Sequence, residues 1–229
     1  MVLRVAPLAN RESDLPPVRK LFVTLRDGIS RNRIPPGTVI ALSDIAKERG
    51  ISFETVSAAL LLLIEEGLVE RCAEGRARVL PISETCLRNT VFLREQAEAE
   101  IVRRVTHSAD TDFLNDLREQ ILRQKLVGMR GPGNLLRLDD RFHRTLAERA
   151  GLGSLWPWLE AWKLCSDRPR FTVEGSLSAP DMICQHSGIV DRIIMRDAEG
   201  AAAATRYHVT GVLRQLPGYR RSHPQLFRD

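Results

Sequence analysis

No apolar run in this 229-residue chain approaches the ~18–20 residues of a membrane-spanning helix. The longest candidate, residues 58–64, is a single buried helix face. A helical membrane protein is therefore excluded. The opening stretch MVLRVAPLANRESD lacks the apolar core of a signal peptide, so residues 1–16 read as a disordered arm. Cysteine is scarce: Cys72, Cys86, Cys165 and Cys184 are scattered, with no C-x-x-C pair. That argues against a disulfide framework or a thiolate zinc site, and for reduced core thiols in a cytoplasmic protein. Charge is not one-sided either. Up to Leu80 there are 12 Lys/Arg against 10 Asp/Glu, and beyond it 22 against 19, so the net +5 marks no half as the one that meets nucleic acid. At 43% hydrophobic and 28% charged, the composition is that of a soluble globular chain of one long or two smaller domains.

What is present is organised around Leu42–Glu70, LSDIAKERGISFETVSAALLLLIEEGLVE. Ile45 and Ala46 form the inner face of a short helix, and Ala46 is small enough for a second helix to cross close by. Gly50 stands where the chain must leave that helix, a position that usually needs positive φ. Ser52 is an N-cap, with Thr55 in the first turn that follows. Val56, Ala59, Leu60 and Leu63 recur at 3–4 residue spacing, the inner stripe of a second helix. This is a helix-turn-helix pattern, which presents its second helix to a DNA major groove. Two short strands, Leu68–Cys72 and Arg76–Leu80, follow around the turn Ala73-Glu74-Gly75 and make a wing. Upstream, Val18, Leu21, Phe22, Leu25 and Ile29 mark a further amphipathic helix to about Arg31, then the stiff turn Ile34-Pro35-Pro36-Gly37-Thr38.

The series of helix, R-I-P-P-G-T, helix-turn-helix, E-E-G-L-V-E-R and wing resembles the winged-helix domain of the GntR family of bacterial transcription regulators, over residues 17–83. Relatives carry S-R-T-P-V-R-E-A-L at the start of the recognition helix. Here the positions read Ser52-Phe53-Glu54-Thr55-Val56-Ser57-Ala58-Ala59-Leu60, so Phe53 and Ser57 replace both arginines and Glu54 would repel phosphate. Two accounts follow. In one, operator DNA is bound through Ser43, Ser52, Phe53 (against thymine methyls), Glu54, Thr55 and Ser57, with wing Arg76 and Arg78. In the other, direct binding is lost and the Leu61/Leu62 surface meets a protein partner.

Beyond the hinge Pro81-Ile82-Ser83-Glu84 the pattern predicts helices at 85–106, 110–127, 133–150, 152–166, 179–196 and 197–215, with Asp110, Ser154 and Asp197 as caps. Gly128, Gly131, Pro132 and Gly133 break the second from the third, and Arg168–Ser178 is a loop carrying Pro169 and Gly175. Leu93, Ala97, Ile101, Val102 and Val105 form one inward stripe, and Ile189, Ile193 and Ile194 another. The expected fold is mainly α: a winged helix-turn-helix domain at 17–83, an all-α bundle of about six helices at 84–217, and a tail at 218–229.

Asp139 and His143 lie at i, i+4 on one helix, which places a carboxylate and an imidazole roughly 5–6 Å apart at Cβ, able to share a divalent cation. His186 and His208 fall in later helices. Taken singly, each histidine is as well explained as a surface or satisfied core residue, and Asp139–His143 as an ordinary side-chain pair. The series D-x-x-F-H, Q-H-x-x-I-V-D-x-I, D-A-E-x-A and x-x-x-H is similar to the ligand-binding domain of FadR-type GntR regulators (the FCD domain), over about Glu84–Gln215. That resemblance implies that Asp139, His143, His186 and His208 chelate Zn²⁺, Ni²⁺ or Mn²⁺. It also implies that a small organic acid binds the metal's open position and that the protein is a homodimer. Arg94 could steady the effector's other end, or could simply pair with Glu98; Arg168 and Arg170 are further candidates. Gln185 and Leu152 depart from the pattern around the ligands. The implied function is an effector-controlled transcription regulator rather than an enzyme. The alternatives are a metal-dependent enzyme, for which no further acid or base is visibly placed, and a regulator degenerate in DNA binding.

Overall fold

The computed structural model describes residues 15–73, 75–129, 135–172 and 178–229, so most of the expected arm, Glu74 of the wing turn, Gly131–Gly133 and Gly175 lie outside the described residues. Packing divides the chain into two units, one of residues 1–85, 167–173 and 218–229 and one of 86–166 and 174–217.

In the first unit, α1 (Pro17–Ser30) starts with proline in its first turn and buries Leu21, Phe22, Leu25 and Ile29. The P-P-G-T turn is clamped by Gly37 N–H donating to Val79 O at 2.8 Å and Val79 N–H donating to Thr38 O at 2.9 Å. It leads into β1 (Val39–Ala41), a strand too short to leave a period in the sequence. Helix α2 (Leu42–Arg49) ends on Gly50 at φ +62°, the left-handed conformation that glycine adopts without strain. Ser52 then caps α3 (Phe53–Glu65) by accepting from Thr55 N–H, and Val56, Ala59, Leu60 and Leu63 are buried. Strands β2 (Val69–Cys72) and β3 (Arg76–Val79) complete an antiparallel sheet of order β1-β3-β2. The stretch expected as a plain hinge holds β4 (Ile82–Ser83), which pairs in parallel with β5 (Phe227–Arg228). Two residues paired across that much sequence carry no periodic signal.

Ala46 is only half-buried, whereas Ala59 on α3 is fully buried among the side chains of α1 and the sheet. Ala59→Leu is expected to destabilise this unit by ~1–3 kcal/mol through overpacking. The measurement is a urea midpoint, which should fall with the slope unchanged; an unmoved midpoint would place Ala59 outside the core.

The other helices are α4 (Glu84–Ser108), α5 (Thr111–Gly128), α6 (Leu135–Arg149), α7 (Trp156–Thr172), α8 (Ala179–Ile194), α9 (Ala198–Val209) and α10 (Gly211–Ser222). Asp110 and Asp197 cap α5 and α9, accepting from Phe113 and Gly200 N–H. Ser154 does not cap: it sits in a 3-10 turn, Gly153–Leu155, and α7 begins at Trp156. The last expected helix divides at Thr210 into α9 and α10. Ala99, Ile101, Val102, Val105, Phe142, Leu146, Ile189 and Ile193 lie at the centre of the bundle core, with Ile194 at its edge.

Three expectations need correction. Leu93 is exposed, and the buried line on α4 runs Leu87, Val91, Arg94, Glu98, Ile101, Val102 and Val105. A stripe chosen by hydrophobicity passes over Arg94 and Glu98, polar residues that face inward. The start of the expected loop, Arg168–Thr172, is helical; α7 continues through Pro169, whose ring forfeits a bond to Cys165 O without ending the helix. Finally, the cysteines are not core thiols: Cys86 and Cys184 are exposed, and Cys72 and Cys165 half-buried.

Candidate metal centre and DNA-reading face

The i, i+4 pair on α6 is buried, with Asp139 and His143 both facing inward. His186 comes from α8 and His208 from the last turn of α9, and both are buried. The four side chains meet. His208 Nε2 lies 3.2 Å from His143 Nε2 and 3.3 Å from His186 Nε2. Asp139 Oδ1 lies 3.2 Å from His186 Nε2 and 3.5 Å from His143 Nε2. One ligand atom from each residue falls within 4.8 Å of all the others. A point midway across a pair that far apart is about 2.4 Å from each atom, against about 2.0–2.2 Å for nitrogen and carboxylate bonds to zinc.

The surround fixes the direction of each donor. His143 Nδ1 is 2.6 Å from Glu98 Oε2, His186 Nδ1 2.8 Å from Gln124 Oε1, and His208 Nδ1 2.9 Å from Gln185 Oε1. Gln124 is oriented by its own amide N–H, which donates to Leu138 O at 3.5 Å. An acceptor at each Nδ1 holds the proton there and turns each Nε2 lone pair toward the shared point. Three imidazole nitrogens converging on the buried oxygen Asp139 Oδ1 make an electron-rich centre that calls for positive charge among them. The donor set therefore fits a borderline divalent cation.

Burial pushes the Asp139 carboxyl up, but Lys163 and the two histidines beside it outweigh burial and hold it well below the usual range. Burial also pushes His143 down, yet Glu98 and Asp139 raise it to about 9, whereas burial dominates at His186 and lowers it. In the metal-free centre the His143 imidazolium thus supplies part of the missing positive charge, and a cation must displace its proton to bind.

Sequence reasoning missed Lys163, Glu98 as a partner of His143, and Gln124. Lys163 Nζ donates to Asp139 Oδ2 and, at 2.8 Å, to Asp140 Oδ1. The sequence around Lys163, Leu159-Glu160-Ala161-Trp162-Lys163-Leu164, carries no signal of this, because the partner of a buried charge comes from another helix. Arg94 does face inward, but it bonds Glu98 (2.8 Å) and Ser166 Oγ (2.6 Å) rather than an open space. Arg168 donates to Leu80 O and Arg170 to Asp167, so neither is a loop residue awaiting a ligand. Beside His143 lies a chamber of about 10 Å³, lined by Glu98, Val102, Leu146, Trp156, Leu159 and Thr205 among others, which is room for about one water molecule.

The expected DNA-contacting residues lie at the start of α2, the first turns of α3 and on β3. Ser43 is exposed and bonds Asp44, while the Ser52 hydroxyl is shared between Thr55 N–H and the Thr55 hydroxyl. The exposed Glu54 carboxyl is lowered by a backbone hydrogen bond and by Ser52, so it stays ionised at the α3 N-terminus. Phe53, about half exposed, leans on the wing: a methyl group built on Gly75 would meet its ring at 3.7 Å. Phe53, Ser57 and Arg76 line one shallow groove between α3 and the wing. Arg78 pairs across the strands with Glu70 at 3.6 Å.

The FCD domain model matches residues 90–211, and the model of the gntR family of bacterial regulatory proteins matches residues 17–79. The chain is 24% identical over 213 residues to the HTH-type transcriptional repressor RspR of Escherichia coli K12, covering 92% of this chain and 93% of that one. It is 26% identical over 210 residues to an HTH-type transcriptional regulator in an unstable DNA locus of Streptomyces ambofaciens, covering 91% and 89%. Among solved structures, Escherichia coli McbR/YncC matches with a TM-score of 0.72 at 14% identity, covering 91% of this chain and 99% of that one. A GntR transcriptional regulator from Rhodococcus sp. RHA1 matches with a TM-score of 0.68 at 19% identity, covering 88% and 97%. These two structural likenesses speak for the fold. Among the described residues no helix is long and apolar enough to cross a membrane.

Proposed function

The chain belongs to the GntR family of bacterial regulatory proteins and carries an FCD domain, so it is a transcription regulator and not an enzyme; on that premise we propose that a small carboxylate bound at a metal centre controls its grip on operator DNA. The winged domain is taken as 17–83 and the sensing domain as 84–217. The ring of three Nε2 atoms and Asp139 Oδ1, each turned inward by its own surround, carries this reading. Zn²⁺, Ni²⁺ or Mn²⁺ bound there would offer a Lewis-acid position to an oxygen of the effector. Asp139, His143, His186 and His208 hold it, while Glu98, Gln124, Gln185 and Lys163 keep the donors aimed.

The chamber beside His143 holds about one water molecule and is lined by His143 alone among the four ligands, so the effector is taken to enter by parting the side chains around the ligands rather than by filling that chamber. Arg94 can meet the effector's far end only by exchanging Glu98 for it. An effector that prefers the parted arrangement shifts the bundle, and the coupling to operator is reciprocal, typically 5–150-fold. A two-fold symmetric operator would be matched by a homodimer, which is part of this reading.

A second reading, in which the winged domain works through a protein partner, is favoured by ionised Glu54 at the head of α3 and by Leu61, 45% exposed on its outer side. A salt series on a promoter fragment separates the two. Under the first reading, affinity falls steeply with salt, and Arg76→Ala weakens binding to every sequence and flattens the log–log slope by about 1. Binding no tighter than to random DNA at low salt would overturn it.

A further inference from the structure

Cys86 lies in the first turn of α4 with an exposed side chain, and Cys165 lies half-buried on α7. Their sulfurs are 3.6 Å apart, in van der Waals contact although 79 residues separate them in sequence. A disulfide needs about 2.05 Å, so the sulfurs must close by roughly 1.5 Å, within the reach of small side-chain rotations. One thiol is open to a small oxidant, and the second already touches the first from behind. That is the arrangement of an attacking thiol and a resolving thiol.

Cys165 also sits between two residues that matter to the metal centre. Two positions earlier, Lys163 holds Asp139 Oδ2; one position later, Ser166 Oγ accepts from Arg94, which grips Glu98 beside His143. A displacement of this turn of α7 is transmitted to a ligand carboxylate along one path and to a ligand imidazole along the other.

We propose that Cys86 and Cys165 form a redox-active pair, closed to an intramolecular disulfide by hydrogen peroxide, and that closure loosens the metal centre. In the first step the Cys86 thiolate attacks the O–O bond of the peroxide, forming a sulfur–oxygen bond and releasing water. The Cys165 thiolate then attacks that sulfur, forms the S–S bond and expels the hydroxyl as a second water. Two electrons pass from the thiol pair to the peroxide, and both thiol protons leave in the water. The disulfide ties α4 to α7. Because the ligand ring already stands near bonding distances with the sulfurs apart, drawing Cys165 toward Cys86 turns Asp139 and His143 away from it. This second half rests on the metal-centre reading; the disulfide itself does not.

The test uses the full chain, reduced and then treated with hydrogen peroxide with and without chelator, followed by peptide mapping without reductant. The expected product is one Cys86–Cys165 cross-link with a loss of about 2 Da per chain. It should be retained in the Cys72→Ser/Cys184→Ser double variant and lost in Cys86→Ser and Cys165→Ser. Over-oxidation of Cys86 without a cross-link, or linkage through Cys72, Cys184 or a second chain, overturns the pair. Chelator competition then compares zinc affinity of the two forms. The oxidised protein should bind about tenfold more weakly, as when a metal ligand loses its outer partner, with no change on peroxide treatment of Cys165→Ser. Equal affinities overturn the coupling. If neither form takes up zinc, the metal-centre reading fails, while the peptide map still decides the thiol pair.

Discussion

His186→Ala is expected to abolish stoichiometric metal uptake and, with it, the whole metal-dependent part of the protein's thermal stability. The side chain is fully buried, its Nε2 stands beside both Asp139 Oδ1 and His208 Nε2, and its ring stacks on Phe142 at 4.3 Å. Among the described residues no further histidine, cysteine or carboxylate joins the four, and Gln124 is already engaged with the outer nitrogen and Leu138 O. A ligand that binds only the folded state stabilises it by about 2.7–4.1 kcal/mol at 100–1,000 times its dissociation constant. For a chain of this size that is roughly 5–16 °C in melting temperature. Wild type should therefore lose that much on chelation and regain it with zinc, nickel or manganese, and elemental analysis should find about one ion per chain. The variant should show neither response. Comparing both proteins in chelator isolates the loss of packing against Phe142, which acts with or without metal. A wild type that melts at one temperature under all these conditions would remove the centre, and the effector reading with it.

The parts that could be read without the fold are those with a short repeat. The α3 stripe Val56, Ala59, Leu60 and Leu63 and the cap at Ser52 were visible because a helix needs them at fixed spacings. Asp139 and His143 were legible as a pair for the same reason, being one turn apart on α6. Spacing alone did not bring His186 and His208 to that pair; they came from the likeness of the surrounding motifs. What stayed hidden depends on contacts between distant elements. Lys163, Glu98 and Gln124 are polar residues turned inward, and the pattern that identifies a buried face by its apolar residues steps past them, as it did in choosing Leu93 over Arg94. Strand β4 pairs with β5 at the far end of the chain, and Phe53 leans on a wing glycine. Neither contact is written in the residues next to it. The thiol pair belongs to the same class: four scattered cysteines say nothing of which two touch.

Arg94→Leu is expected to destabilise the metal-free protein by about 3–5 kcal/mol, because it strands a buried carboxylate. Arg94 is only 2% exposed and Glu98 only 5%, and the guanidinium donates to Glu98 at 2.8 Å and to Ser166 at 2.6 Å. Burial would raise the Glu98 carboxyl, but Arg94 and then His143 outweigh it and hold it at about 2. Since that value lies below the ordinary 4.5, Glu98's contribution to stability is complete above about 4.5 and drains away as pH falls toward 2. An arginine reserved for an effector would behave differently: its loss would leave the unliganded protein as stable as before and weaken only ligand binding. The double variant Arg94→Leu/Glu98→Leu separates the cases further. Removing both charges takes away the stranded group, so most of the lost stability should return, since a buried ion pair is often no better than apolar side chains of similar volume. The gap between wild type and the Arg94→Leu single variant should also narrow below pH 4.5, where Glu98 is neutralised in the variant. Metal affinity in the double variant should stay about 10–100-fold down, because His143 Nδ1 has lost the acceptor that aims its other nitrogen. Recovery of stability without recovery of metal affinity would assign Arg94 to holding Glu98, and Glu98 to aiming His143. An Arg94→Leu protein that unfolds at the wild-type denaturant concentration would instead place the guanidinium outside the ion pair and return it to the effector.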